Sequence, residues 1–256
     1  VVEYSAAMNE LVDADTTRWE QVVQALATIV EPGSYIEQTT RIALLRYAHD
    51  PDPNQQGTPL PGTDLVDGVA LDLAWTDPDT HTYLDCQGAQ FLATLDALPP
   101  PPAGAGTWTR GALVEVAAQI DATRAEQGEG LQDRPYVAMV LTQGIWTSAQ
   151  ADMLLSPPQA DPVPVAAMLH DELGVPVYVS ELGDDPLGEA AADALAAAGG
   201  TQLALAGTGE FEALAAFVQN LLDEVDMPVC TPSLPRVMVV LDASSSMLNL
   251  GGAAGS

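Results

Sequence analysis

Arg236-Val-Met-Val-Val-Leu-Asp242-Ala-Ser-Ser-Ser-Met247 reads as a buried apolar strand that runs straight into a loop of oxygen donors. Asp242, Ser244 and Ser246 offer one carboxylate and two hydroxyls at alternate positions. A loop that turns alternate side chains inward would gather them into a hard oxygen cluster suited to Mg2+, which prefers octahedral oxygen and keeps some of its waters. The plainer reading is a strand-to-helix turn in which Asp and Ser cap a helix.

Working outward, the rest of the chain alternates apolar strands with amphipathic helices. Thr17-Arg-Trp-Glu20 has the form of a capping box, and Val22, Val23, Leu26 and Ile29 continue an apolar helical face up to Pro32-Gly33. Thr39–Tyr47, Val69–Trp75, Tyr136–Leu141, Val175–Ser180 and Gln202–Ala206 read as strands. Helices are expected at Cys86–Leu98, ahead of the prolines Pro99 to Pro102, then after Thr109, over Val163–Leu173, Leu187–Ala198 and Glu210–Val225. This order predicts an α/β fold, a doubly wound, mostly parallel sheet with helices on both faces. In such sheets ligands sit where strands end and the strand order reverses. Three segments follow strands in that way or open a helix: Asp242-Ala-Ser-Ser-Ser246, Gly106-Thr107-Trp108-Thr109 and Thr142-Gln143-Gly144.

Composition narrows the function. The chain has 256 residues, 47% of them hydrophobic, enough for one sizeable core. It carries 36 acidic against 7 basic residues, a net charge of -29, and every basic residue is Arg. So negative a surface disfavours nucleic acid and anionic lipid. No apolar run approaches a membrane span, so no membrane insertion is expected. Cys86 and Cys230 cannot make a zinc site; they are either one disulfide or two buried thiols. His49, His81 and His170 lack metal-ligand spacing, and no G-x-S-x-G elbow, Walker A loop or full dinucleotide fingerprint is present. Asp184-Asp185 has the chemistry to bind a cation, though a turn and helix cap is the better reading. Trp108 is placed either on a ligand-facing rim or against its helix. With no base–nucleophile pair, the chain is read as not an enzyme. The first residue is Val1, so a processed or excised protein is expected.

A strand ending in D-x-S-x-S, a G-x-T loop opening a helix, and a strand ending in T-D-G form the metal-ion-dependent adhesion site of von Willebrand factor A (VWA) domains. VMVVLDASSSM, GAGTWTRGAL and VAMVLTQG resemble these three segments, and TRWEQVVQAL, RIALLRY, LHDELGVPVYVSELGDD and FEALAAFVQNLL extend the likeness. A narrower likeness is to secreted bacterial VWA proteins, which implies an extracellular or cell-surface location. The resemblance implies a divalent cation, Mg2+ (or Mn2+ or Ca2+), on Asp242, Ser244 and Ser246. Thr107 would join when a ligand carboxylate is bound, and Gln143 would act through a water. Gln143 stands where the family has an Asp, which weakens metal affinity and leaves the ion more electrophilic. The implied function is a protein-binding or adhesion module whose partner supplies an exposed carboxylate. The alternative is a metal-free structural or assembly scaffold with a degenerate site, for which Gln143 speaks.

The order of segments departs from the family, where the D-x-S-x-S strand comes first. Residues 1–15 are therefore read as a leader or insert and 16–250 as one VWA-like domain. Its parts are a body (16–225), a connector (226–235) and a central strand with its metal loop (236–250), ahead of a tail at 251–256. Residues 236–241 are expected to fill the middle of the sheet, within their own chain as a circular permutant or from a neighbour in a strand-swapped oligomer.

Overall fold

The computed structural model describes residues 1–31, 34, 41–48, 57–59, 63–76, 87–102, 107–127, 136–143, 145–146, 160–183, 185–201 and 205–206. In chain order its elements are β1 (Val2–Glu3), α1 (Arg18–Ile29), β2 (Leu44–Tyr47), β3 (Val69–Leu73), α2 (Gly88–Ala97), α3 (Thr109–Gln127), β4 (Ala138–Thr142), α4 (Val163–Asp171), β5 (Val177–Glu181), α5 (Pro186–Ala198) and β6 (Leu205–Ala206). The six strands lie in the order β3-β2-β1-β4-β5-β6. Among the described strands only β3 runs antiparallel, against β2. The expected doubly wound α/β fold is the observed one.

Local chemistry accounts for the elements. The Thr17 hydroxyl accepts from the Glu20 backbone N–H at 3.2 Å, while the Glu20 carboxylate accepts from the Thr17 N–H at 2.7 Å, closing the capping box of α1. Asp185 caps α5 by accepting from the Leu187 N–H at 3.0 Å. Strand side chains alternate between two cores. Val2, Tyr4 and Leu141 pack with Trp19, Val22, Leu26 and Ile29 of α1 and Phe91 and Leu95 of α2. On the other face, Val140, Val177 and Val179 pack with Leu113 and Ile120 of α3, Leu169 of α4 and Leu195 of α5.

One expectation is overturned here. The middle of the sheet, assigned from the sequence to 236–241, is held by Val2–Glu3, which pairs in parallel with both β2 and β4. Residues 1–15 are therefore not a leader. Val2, Tyr4 and Met8 are core residues, and the segment is tied down by the proline run: Tyr4 Oη donates to the Pro99 carbonyl at 2.9 Å and Asn9 Nδ2 to that of Pro101 at 2.7 Å. A two-residue strand carries too little periodicity to be read from sequence, and its register comes from its neighbours. With that place filled, neither a permutant nor a swap is needed to complete the sheet. Residues 207–256, including the expected helix 210–225, the connector and 236–250, lie outside the described residues, as do Cys86 and Cys230.

Beneath β1, Arg46 is wholly buried and bonds Asp72 through Nε at 2.6 Å and Asp64 through Nη2 at 2.9 Å, its guanidinium 4.6 Å from the Tyr4 ring centre. Burial works against the charge, but the bonds and charges of Asp72 and Asp64 outweigh it and hold the guanidinium above its ordinary pKa. Asp72 is 7% exposed and Asp64 69%. Asp72→Asn is therefore expected to cost about 3 kcal/mol by leaving a buried cation short of its counter-charge. Asp64→Asn should cost less than about 1 kcal/mol, because water screens it. Urea denaturation of the two variants measures the difference.

Candidate functional site

The strand order reverses between β1 and β4, since β2 lies to one side of β1 and β5 on the far side of β4. A ligand crevice belongs at the carboxyl ends of such a strand pair. Glu3 closes β1, Thr142 closes β4, and Thr107 stands two residues ahead of α3. All three are buried: Glu3 is 0% exposed, Thr142 2% and Thr107 6%.

They meet on one carboxylate. Glu3 Oε1 accepts from Ser5 Oγ at 2.5 Å and from Thr107 Oγ1 at 3.0 Å. Glu3 Oε2 accepts from Thr142 Oγ1 at 2.8 Å and from the Gln143 backbone N–H at 2.8 Å. Behind the carboxylate, Tyr47, the register partner of Glu3 on β2, is wholly buried. Burial first, and then the Glu3 charge, push the Tyr47 phenol above its ordinary pKa.

Of the site residues expected from sequence, Thr107 and Gln143 are brought together, but on Glu3. Gln143 contributes its backbone N–H, and its side-chain Nε2 is buried without a hydrogen-bond partner in the described structure. Asp242, Ser244 and Ser246 lie outside the described residues. Glu3 and Ser5 went unread, although a signal for them was present. Val1-Val2-Glu3-Tyr4-Ser5-Ala6-Ala7-Met8 and Val240-Leu241-Asp242-Ala243-Ser244-Ser245-Ser246-Met247 share one pattern: two apolar residues, an acid, a serine two further on, and a methionine five further on. The first copy has Glu in place of Asp and Ala7 in place of Ser246. Trp108 packs against its helix: a side chain at Gly111 would come within 2.6 Å of the indole. His170 sits on the surface beside Asp171, at 2.8 Å.

The described rim does not fit the divalent cation that the family resemblance implies. A carboxylate offers about four lone-pair directions, and here four donors take them up. Among the described residues no group of three or more His, Cys, Asp and Glu is placed to hold a metal ion. A second buried carboxylate, Glu181, closes β5 and accepts from the Gly183 N–H at 2.8 Å.

No family model matches this sequence, and no curated protein matches it either. Solved structures do match. An aerotolerance-related membrane protein from Bacteroides fragilis aligns at TM-score 0.54 and 14% identity, covering 87% of this chain and 96% of that one. Proximal thread matrix protein 1 from the mussel byssus aligns at 0.50 and 12%, covering 87% of this chain and 46% of that one. The PilB minor pilin from Streptococcus sanguinis aligns at 0.54 and 11%, covering 87% and 59% respectively. The fold is VWA-like. At these identities the likeness carries architecture alone. Within the VWA-like sheet, Glu3 holds the end-of-first-strand position that the sequence reading gave to Asp242. No described helix is long and apolar enough to cross a membrane.

The raised Tyr47 phenol sets a pH dependence. An unfolded tyrosine ionises near about pH 10, whereas folded Tyr47 keeps its proton there, so above that pH the folded state binds more protons and stability falls. The slope approaches about 1.4 kcal/mol per pH unit for each such phenol. The chain has no lysine to obscure this. Tyr47→Phe is expected to flatten the decline, as urea midpoints between about pH 8 and 11 would record.

Proposed function

We propose that this VWA-like domain is a protein-recognition or assembly module that works at the carboxyl-end rim of its sheet and catalyses no reaction. The observation that carries the reading is the site at the strand reversal, where a buried acid is fully hydrogen-bonded by its own chain. A general base or nucleophile needs a free lone pair within reach of a substrate, and this carboxylate has none to spare. Exposed apolar side chains lie beside it. Ile145 follows Gln143 by two residues, and Leu187, 72% exposed, precedes Gly188, whose added Cβ would lie 2.5 Å from the Gln143 carbonyl. Two of the similar structures are named as a thread matrix protein and a minor pilin, names that accord with assembly, and with the extracellular or cell-surface setting we propose for this chain.

Site-specific photo-crosslinking in the native source tests the reading. A photoreactive residue at Ile145 or Leu187 is expected to give discrete protein adducts. The same residue at Glu172, exposed at the opposite end of the sheet, is expected to give none. Equal labelling at both ends would refute it.

A second reading is favoured by the complete D-x-S-x-S at Asp242, Ser244 and Ser246. In it Mg2+, Mn2+ or Ca2+ held by those residues bridges to a partner carboxylate. A melting temperature that rises in millimolar Mg2+ and loses that rise in Asp242→Ala would support it. Identical melting in Mg2+ and in EDTA is the outcome expected of the metal-free module.

A further inference from the structure

We propose that Glu3 is a built-in ligand: its carboxylate fills the rim at the strand reversal in place of a cation, and the surrounding hydroxyls form a carboxylate cage. This goes beyond the reading as a recognition module and stands whether or not a partner is found.

Three stretches distant in sequence converge on the carboxylate, namely the loop after β1, the approach to α3 and the end of β4. A cation site needs lone pairs aimed inward, whereas here protons are aimed inward. A carboxylate only accepts, so each hydroxyl must present its hydrogen to it. The fourth contact is the Gln143 backbone N–H, which cannot ligate a cation and repels one. Sequence points the same way. Glu is one methylene longer than the Asp242 of the matching motif, which carries the carboxylate about 1.5 Å further from the backbone. Ala7 stands where that motif has Ser246, so one oxygen ligand of the D-x-S-x-S pattern is missing. The longer acid and the lost hydroxyl complement each other: one supplies a negative charge that ends at the rim, the other removes a group whose purpose was to hold a positive one.

Two experiments on the full chain decide the matter, both with Asp242→Ala in place so that the second motif contributes no metal. In the first, Mn2+ is added at high salt and the threonine methyl signals are followed by NMR. Thr107 and Thr142 should broaden no more than Thr123, which is buried on α3. Selective broadening of Thr107 and Thr142 would show a cation entering the cage and overturn the proposal. In the second, Glu3→Ala removes a CH2–COO− group, and acetate is that fragment with one hydrogen added. The variant should melt about 10 °C lower, having left several buried donors unpaired. About 0.1 M acetate should recover a third or more of the loss, while equal concentrations of chloride, and millimolar Mg2+, recover none. Recovery by Mg2+, or acetate no better than chloride, would overturn it as well. If Glu3→Ala does not fold in any of these salts, the Mn2+ result alone decides.

Discussion

Four hydrogen bonds to one buried carboxylate hold the working end of this sheet together. Glu3 ties together the β1 end, the approach to α3 and the β4 loop, three stretches far apart in sequence. Removing a carboxylate from water costs several kcal/mol even after the protein relaxes. Hydrogen bonds to a charged group return about 1.5–3 kcal/mol each. The two nearly offset, so the cage adds little net stability. What it adds is specificity: with four donors committed, any arrangement of the rim that loses Glu3 strands several of them in a dry interior.

The same asymmetry explains the Arg46 cluster one layer below. Arg46 is buried against Asp72 under Tyr4, and Tyr4 in turn meets Trp19 edge-on at 5.1 Å between ring centres. A two-residue strand cannot fix its own position by backbone bonding alone. Tyr4 on one face and Glu3 on the other clamp it, the first through the aromatic and proline contacts, the second through the cage. The β1 register thus depends on side chains to a degree that the longer strands β4 and β5, paired over five residues, do not.

That dependence marks the limit of what the sequence made legible. The capping box at Thr17, the apolar periodicities of α1 and β4 and the alternation of strands with helices are local signals, and they predicted the fold class correctly. Thr107 and Gln143 were singled out as metal ligands beside Asp242, and the structure places both on the Glu3 carboxylate instead. The occupant of the middle of the sheet was not legible. Residues 236–241 offer six apolar-rich positions followed by an acid, whereas Val2–Glu3 offers two, so the stronger copy of the motif drew the assignment. Only long-range pairing, Val2 with Arg46 and Leu141, tells the copies apart. The omission of Glu3 as the rim acid followed from that error, since E-x-S-x-A departs from the expected pattern at two of three positions.

Charge then bears on what such a rim can bind. The expectation of a partner carboxylate was tied to a cation, whose charge would supply the attraction. The chain as a whole carries -29, and the described rim adds a further buried negative charge where that cation would stand. An acidic partner approaching this surface meets repulsion that salt screens over about 8–10 Å but does not reverse. With Glu3 in the cage, what the rim offers to solvent nearby is apolar, at Ile145 and Leu187. Asp185 and Glu189 flank Leu187 in sequence and are exposed, so the apolar side chain at the start of α5 is set between acidic ones. The carboxylate-bearing partner expected from the sequence rested on a cation at Asp242, which lies outside the described residues, and the described rim holds the Glu3 carboxylate where that cation would stand.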